Sequence, residues 1–249
     1  PSGNDLAFPN INDTGNSAFK VNINTSPVDS ASNAAMVFGT KTFKSYKYTS
    51  GLIQVPIELL QDSDISPVLE QLIVKALQER MWRGMNAAFT TGVGTTDVSG
   101  IVTGAYDAGG TVAATALTRD NILDLYHAVD PAYRMGAKFM FNDKTLQAIK
   151  KLSFGTSDNR PLWQAGMSSG APDTIEGKPY VINQDMADIG ASAKSILFGD
   201  LQNYYIREVA DWRLVRLTER YAELDQVAFA LFSRWDGQVV DAGTHPIKY

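Results

Sequence analysis

A long amphipathic helix is the sequence feature that most constrains how this chain of 249 residues folds. Ser66 is a favourable N-cap, and Pro67 suits the first helical turn because that position needs no N–H donor. Apolar residues then recur every three or four positions and form one stripe, as expected for an amphipathic helix. The stripe consists of Leu69, Leu72, Ile73, Ala76, Leu77, Met81, Met85, Ala88 and Phe89. The helix is predicted to end at a glycine-rich loop containing Gly92, Gly94 and Gly100, and nothing on it suggests catalysis.

The second half of the chain alternates helices and strands, which predicts a mixed α/β layer within an α+β protein. A helix is expected to start at Thr118, with Leu117 and Ile122 as a hydrophobic staple, and to end near Asp130–Pro131. The strand QVAFALFSRW should turn at Asp236–Gly237 into a further strand, since Asp-Gly is a common hairpin turn. The other predicted elements are strands at 138–142, 178–183, 195–200, 203–209 and 212–219 and a helix at 142–152.

The N-terminal part of the chain reads as an extended segment followed by a hairpin. Residues 1–36 hold only four charged side chains but seven asparagines, so this segment cannot build a core of its own. Alternating residues at 18–24 and 40–55 predict the two strands of a long hairpin that projects from the body. Because an isolated hairpin is barely stable in water, its aromatic side chains should pack on another subunit or on their own domain.

Composition excludes several classes of protein and of site. The chain has no cysteine, so disulfides, thiolate metal sites and cysteine nucleophiles are excluded. Its net charge is −5 and it has no lysine or arginine cluster, so sequence-specific nucleic-acid binding is not expected. The longest apolar run, 227–232, is far below the roughly 20 residues of a membrane helix. We expect no cofactor, no metal ion and no membrane partner.

One catalytic pattern is present. Residues 166–170 fit G-x-S-x-G around Ser168, and Asp185 and His245 follow in the order found in α/β hydrolases. That motif needs a hydrophobic strand before the serine and a helix after it, and Pro172 interrupts any such helix. A loop is the better interpretation, and no catalytic residue is assigned. A serine hydrolase using these three residues, or a generic oligomeric binding module, remains the alternative.

Eight sequence blocks, spread from about residue 52 to about residue 240, occur in an informative order. The blocks are VPIELLQDSD, AFTTGVG, GIV, FMFNDKTLQAIKKL, NRPLWQ, TIEGKPYVIN, ILFGDLQNYYIREV and QVAFALFSRWDGQVVD. Each block alone is common hydrophobic and turn chemistry, whereas all eight in this order are specific. Together they resemble the major capsid proteins of tailed bacteriophages, a family whose fold is known from a Hong Kong phage.

The resemblance implies a fold, a division of the chain and a function. The implied segments are an N-terminal arm (1–25), an extended hairpin loop (26–52), a peripheral domain with the long spine helix (53–115), an axial domain (116–205), and the return strands of the peripheral domain with a C-terminal tail (206–249). The implied function is structural and not enzymatic. The chain would be the major capsid (head) protein, which self-assembles into the icosahedral shell that encloses double-stranded phage DNA.

The resemblance also implies partners and a location. Copies of the chain would form the hexamers and pentamers of a shell in the virion, assembled in the cytoplasm of the host bacterium. Portal, scaffolding, protease and decoration proteins are the other implied partners, and removal of an N-terminal scaffolding region would account for a chain that begins at Pro1. Some relatives join their subunits by lysine–asparagine isopeptide bonds. Here residues 28–40 contain no lysine and residues 221–249 contain no asparagine, so we expect no such bonds.

Overall fold

A computed structural model describes residues 3–12, 20, 37–61, 66–109, 117–155, 158–161, 174–190, 192–241 and 243–249. The strands are β1 (Leu6–Asn12), β2 (Val37–Phe43), β3 (Tyr46–Pro56), β4 (Lys138–Phe141), β5 (Ser153–Gly155), β6 (Asp158–Pro161), β7 (Thr174–Ile175), β8 (Lys178–Ile182), β9 (Ile196–Gly199), β10 (Tyr204–Leu217), β11 (Gln226–Val239) and β12 (Ile247–Lys248). The α-helices are α1 (Ile57–Gln61), α2 (Ser66–Thr91), α3 (Ile101–Gly104), α4 (Arg119–Ala128), α5 (Pro131–Arg134) and α6 (Asp143–Lys150), and short 3₁₀ helices lie at Leu201–Asn203 and Ala222–Leu224.

The chain divides into two compact units. The first comprises Pro1–Leu6, Phe43–Thr103 and Ile206–Gln238, and the second comprises Ala7–Thr42, Gly104–Tyr205 and Val239–Tyr249. Helices and strands occur in both, so the predicted α+β class is confirmed. The bounds expected for the arm, hairpin, peripheral and axial segments stay predictions.

The first unit is built on the long helix α2, which packs against a three-stranded sheet in the order β10-β11-β3. The predicted helix is confirmed, since it runs from Ser66 to Thr91 and stops at the glycine-rich loop. Its buried side chains meet those of β3 and β11 in one apolar cluster. The cluster contains Val55, Ile73, Leu77, Met81, Met85, Val227, Phe229, Leu231 and Trp235. The prediction was wrong for Leu72, which is 57% exposed.

The loop after α2 depends on close backbone approaches. The N–H of Gly92 donates to the carbonyl of Ala88 at 2.9 Å, and the N–H of Gly100 donates to the carbonyl of Gly92 at 2.9 Å. A Cβ placed on Gly100 would lie 2.5 Å from the Gly92 nitrogen and 2.6 Å from the Thr90 carbonyl oxygen. Only glycine fits at this position, because both neighbouring atoms belong to the backbone.

Strand β3 is an edge strand of the three-stranded sheet of the first unit, which is called the central sheet below, and is not part of a free hairpin. It pairs antiparallel with β11 from Tyr46↔Trp235 to Pro56↔Gln226. The expectation that 40–55 is one strand of a projecting hairpin is therefore wrong for this part, because the strand is paired with β11 and its Val55 is buried in the cluster with α2. The upstream strand β2 pairs with the N-terminal strand β1. Of the other expected hairpin strand, 18–24, only residue 20 is described.

The second unit contains a five-stranded mixed sheet in the order β12-β9-β4-β8-β7. Strands β4 and β8 are parallel, and the other pairs are antiparallel. Phe139, Phe141 and Phe198 are almost completely buried in its core, together with apolar residues of α4 and α6. The predicted strand 138–142 and the helix after it are confirmed, with Leu146 and Ile149 buried.

The helix predicted at Thr118 is also confirmed. Thr118 is the N-cap of α4, and its hydroxyl accepts a hydrogen bond from the N–H of Asn121. The Asn121 side chain in turn accepts from the N–H of Thr118 at 3.0 Å, which completes a capping box. Asp130 follows α4 and is also the N-cap of the next short helix, α5. Its Oδ1 accepts a hydrogen bond from the N–H of Ala132 at 2.8 Å.

Two strand predictions need correction. The turn expected at Asp236–Gly237 does not form, because β11 continues without a break to Val239. The two strands expected at 203–209 and 212–219 are one strand, β10, which runs from Tyr204 to Leu217. The central sheet is consequently longer than the sequence suggested.

Candidate assembly surfaces

The three residues of the hydrolase pattern do not form a catalytic site in the part of the chain that the structure describes. Ser168 lies outside the described residues. Asp185 belongs to the turn after β8, where its N–H donates to the Asn183 side chain at 3.1 Å. The carboxylate that faces His245 is that of Asp241, with 2.5 Å between Oδ2 and Nδ1. The serine hydrolase alternative is therefore not supported.

Among the described residues, no group of three or more histidine and carboxylate side chains is placed to hold a metal ion. None of their helices combines the length and the apolar character that crossing a membrane requires. What the described parts of the chain do offer is a set of exposed apolar surfaces and polar joints.

The first such surface is the ribbon formed by β1 and β2, which are two paired strands in the described part of the chain. Phe38 on β2 is 72% exposed, and Ile11 on β1 is 49% exposed. Phe8, also on β1, packs against Tyr205 with 5.4 Å between ring centroids. The ribbon is thus fixed by Phe8 while it presents other apolar side chains to solvent.

A second exposed surface follows one side of α2. Val68, Leu72 and Trp82 are each more than half exposed, although the opposite side of the helix is buried. The Trp82 ring lies 5.1 Å from that of Trp212 on β10. Val68 and Leu72 lie about one turn apart, whereas Trp82 lies about 15 Å further along the helix beside Trp212.

A polar joint fixes the link between β2 and β3. Arg207 on β10 donates from Nη1 to the carbonyl oxygens of Phe43, at 2.7 Å, and Lys44, at 3.1 Å. Its Nη2 donates to the carbonyl of Asn4 at 2.7 Å, within the residues before β1 (3–5), which are called the N-terminal segment below. One guanidinium group therefore binds two segments that are far apart in sequence.

Asp236 completes this joint from the sheet. It is 1% exposed, and its carboxylate accepts from the N–H groups of Lys44, at 2.5 Å, and Gly237, at 2.8 Å. Burial raises the pKa of the Asp236 carboxyl, while these two hydrogen bonds and the charge of Arg207 oppose the rise. The sequence places Asp236 in a turn and does not single out Arg207, because the backbone at Lys44 that both side chains bind is distant from them in the chain.

A second joint ties β3 to the glycine-rich loop. The Tyr48 hydroxyl donates to Asp97 Oδ1, which also accepts from the N–H of Val98 at 2.7 Å. Burial, and next the hydrogen bond to the Asp97 carboxylate, raise the pKa of Tyr48 well above its usual value, so the hydroxyl keeps its proton. This bond holds the loop that ends α2 against the central sheet.

The C-terminal loop of the second unit is organised around Asp241. Its Oδ1 accepts from the N–H groups of Gly243, Thr244 and His245 at 2.7–3.1 Å. Burial is the largest single influence and acts to raise the pKa of Asp241, but the hydrogen bonds from the N–H groups of Gly243 and His245, together with the His245 ring, lower it overall. The His245 ring also stacks on Tyr106 with 3.7 Å between centroids. Such an arrangement stabilises a loop and provides no nucleophile.

Solved structures from a GTA particle and from phages share the fold of this chain. The chain is similar to the capsid of a native GTA particle computed with C5 symmetry, with 26% identity and a TM-score of 0.77 over 97% of this chain and 83% of that one. It shares its fold with a chain from Mycobacterium phage Adephagia at 12% identity (TM-score 0.66, 98% and 83% of the two chains). A chain from Gordonia phage Cozz is similar at 12% identity (TM-score 0.61, 97% and 79%). No curated protein sequence matches this chain.

The sequence comparison agrees with the structural one. Residues 7–248 match the sequence model of the phage capsid family, which leaves only the first six residues and the last one outside the match. This match spans all eight sequence blocks and the long helix α2. This chain belongs to the phage capsid family.

Proposed function

We propose that this chain is the major capsid protein of a tailed phage or a similar particle, and that its copies form the shell. The family match over residues 7–248 is the observation that carries this proposal. The likeness to the GTA capsid over 97% of the chain supports it. The role is structural: the chain contributes surfaces for its own copies and performs no chemistry.

The exposed ribbon gives a physical reason for self-association. A two-stranded sheet is marginally stable in water when it stands alone, and here Phe38 and Ile11 remain exposed on it. Burying a phenylalanine side chain stabilises a contact by about 1.5–3 kcal/mol. Neighbouring copies of the chain would supply the surface on which these side chains become buried.

The arrangement of copies would follow the symmetry of a closed shell. Heterologous contacts that close into rings produce pentamers and hexamers from one sequence. The GTA capsid to which this chain is similar was computed with C5 symmetry, which fits fivefold rings. Portal, scaffolding, protease and decoration proteins are the further partners that we propose, with assembly in the host cytoplasm and final placement in the virion.

The charge of the chain fits enclosure of DNA without sequence recognition. A net charge of −5 gives no general attraction to phosphate groups. The shell would hold double-stranded DNA by closing around it.

Electron microscopy of the purified protein under shell-forming conditions tests this proposal. Closed shells tens of nanometres across are expected. A folded protein that stays monomeric in every such condition, or one that shows esterase turnover, would overturn it.

A matched pair of variants tests the role of the ribbon. Phe38→Asp places a charge where an apolar contact is proposed and should prevent or distort the shells while the subunit stays folded. Thr40→Asp places the same charge two residues further along the exposed side of β2 and should affect assembly much less. Equal defects in both variants would show that charge on the ribbon, and not loss of the Phe38 contact, is responsible.

A further inference from the structure

The short link between β2 and β3 has an unusual set of hydrogen bonds. Lys44 and Ser45 belong to neither strand. Both backbone polar groups of Lys44 are nevertheless bonded, since its N–H donates to Asp236 at 2.5 Å and its carbonyl accepts from Arg207 at 3.1 Å. Backbone groups that a sheet would normally satisfy are satisfied here by two side chains of opposite charge.

The same guanidinium holds the N-terminal segment. Nη2 of Arg207 donates to the Asn4 carbonyl at 2.7 Å, while Nη1 binds the link through Phe43 and Lys44. Arg207 uses the planar fork of its guanidinium, which offers donors in two directions at once. A lysine has the charge but lacks this fork, so it cannot hold both segments in the same geometry.

The N-terminal segment also lies tightly on the sheet. A Cβ placed on Gly3 would be 2.4 Å from Nη1 of Arg234 on β11, so the backbone at Gly3 runs directly over this side chain. Arg234 therefore lies beneath Gly3, and Arg207 binds the carbonyl of the next residue, Asn4. The two arginines bring this segment and the link onto neighbouring strands of one sheet.

We infer that Arg207 is a positioning residue that fastens the N-terminal segment and the β2–β3 link as one unit, with Asp236 as the buried counterpart on the sheet. Its acceptors are backbone carbonyls, and charge-assisted hydrogen bonds are the stronger kind. Because these bonds lie outside any strand ladder, they can open without unpairing the sheet. The two segments should accordingly dock and detach together. The consequence for shell assembly rests on the proposed function, whereas the docking of the two segments as one unit does not.

Hydrogen exchange of the unassembled subunit tests the inference independently of shell formation. In Arg207→Gln, amides of both residues 3–5 and residues 44–45, which precede β1 and link β2 to β3, should exchange about tenfold faster or more, since charged hydrogen bonds are lost. Protection in α2 and β11 should stay unchanged. Arg207→Lys should give the same paired loss, because it retains the charge but not the fork.

Arg213→Gln is the matched control. Arg213 lies on the same strand, is exposed, and has its guanidinium 5.6 Å from the Phe232 ring. It should leave both segments protected. If Arg207→Gln does not fold, Arg207→Lys still provides the comparison. Loosening of only one segment, or of neither, in the folded Arg207 variants would overturn the inference.

The assembly readout separates the two proposals. Arg207→Lys should give fewer or misshapen shells under conditions in which the unmodified chain and Arg213→Gln form closed ones. If the unmodified chain forms no shells, the proposed function fails while the exchange result still decides the role of Arg207. Normal assembly of Arg207→Lys despite paired loosening would overturn the link between this fastening and the shell.

Discussion

Truncation of Leu77 provides a direct measure of how the first unit is stabilised. Leu77 on α2 is 0% exposed and lies within the cluster that joins α2 to the sheet. Replacing a buried leucine with alanine removes its transfer free energy and leaves a cavity, at a cost of about 2.7–5 kcal/mol. We expect Leu77→Ala to lower the free energy of unfolding by about 3 kcal/mol or more.

Leu72 supplies the matched control, because it is the same residue type on the same helix but is 57% exposed. Leu72→Ala removes little buried area and places a slightly better helix former at the position. Its effect should stay within about 0.5 kcal/mol. The difference in unfolding free energy between the two variants therefore measures the effect of burial, because the change in helix propensity is the same in both.

Urea unfolding of the unassembled chain, followed by tryptophan fluorescence, measures both values. Trp235 is 8% exposed in the same cluster as Leu77 and should report its loss of packing. With a slope of about 1–3 kcal/mol per molar urea, Leu77→Ala should lower the midpoint by about 1 M or more. Equal midpoints for the two variants, or a loss below about 1 kcal/mol for Leu77→Ala, would contradict the packing described for α2.

Three further predictions concern a glycine, a carboxylate and covalent linkage. Gly100→Ala should destabilise the chain in thermal unfolding because its Cβ would meet backbone atoms at 2.5–2.7 Å, whereas Gly84→Ala, with nothing within 4 Å, should stabilise α2 by up to about 1 kcal/mol. The lowered pKa of Asp241 means that its contribution to stability is present above the ordinary aspartate pKa and is lost as pH falls through the lower value in the folded chain. The NMR signals of the Gly243 and His245 amides should show this acid transition, and Asp241→Asn should abolish it. Shells boiled in detergent should give a single band near 27.1 kDa, and a ladder of covalent multimers would contradict the absence of isopeptide bonds.

Local patterns predicted those elements whose stability depends on local contacts. Ser66 and the glycine-rich loop predicted the limits of α2, and the apolar stripe predicted its buried face, because residues such as Ile73 and Met81 recur at helical spacing. Thr118 and Asn142 cap α4 and α6 with side-chain oxygens, as their residue types suggest. In these cases the residues near in sequence determine the structure.

Turn and hairpin signals failed where a distant contact competes with them. Asp-Gly at 236–237 favours a turn locally, yet the Asp236 carboxylate is buried and bonded to the N–H of Lys44, 192 positions away. The same holds for β3, whose alternating pattern fits a hairpin strand as well as it fits a strand paired with β11. Periodicity alone contains no information about the partner strand.

The joint around Arg207 shows why a search for functional side chains finds so little in a protein of this kind. Its acceptors are the carbonyl oxygens of Asn4, Phe43 and Lys44, and every residue type supplies a carbonyl oxygen. At this joint the residue type matters for Arg207 and Asp236, because their side chains make the bonds. In the sequence, each looks like an ordinary residue of a long strand. A catalytic site needs particular side chains at particular spacings, whereas a subunit that binds its own copies needs surfaces and properly held segments. The family was therefore visible in the order of whole sequence blocks, while the residues that position those segments became visible only once the fold brought them together.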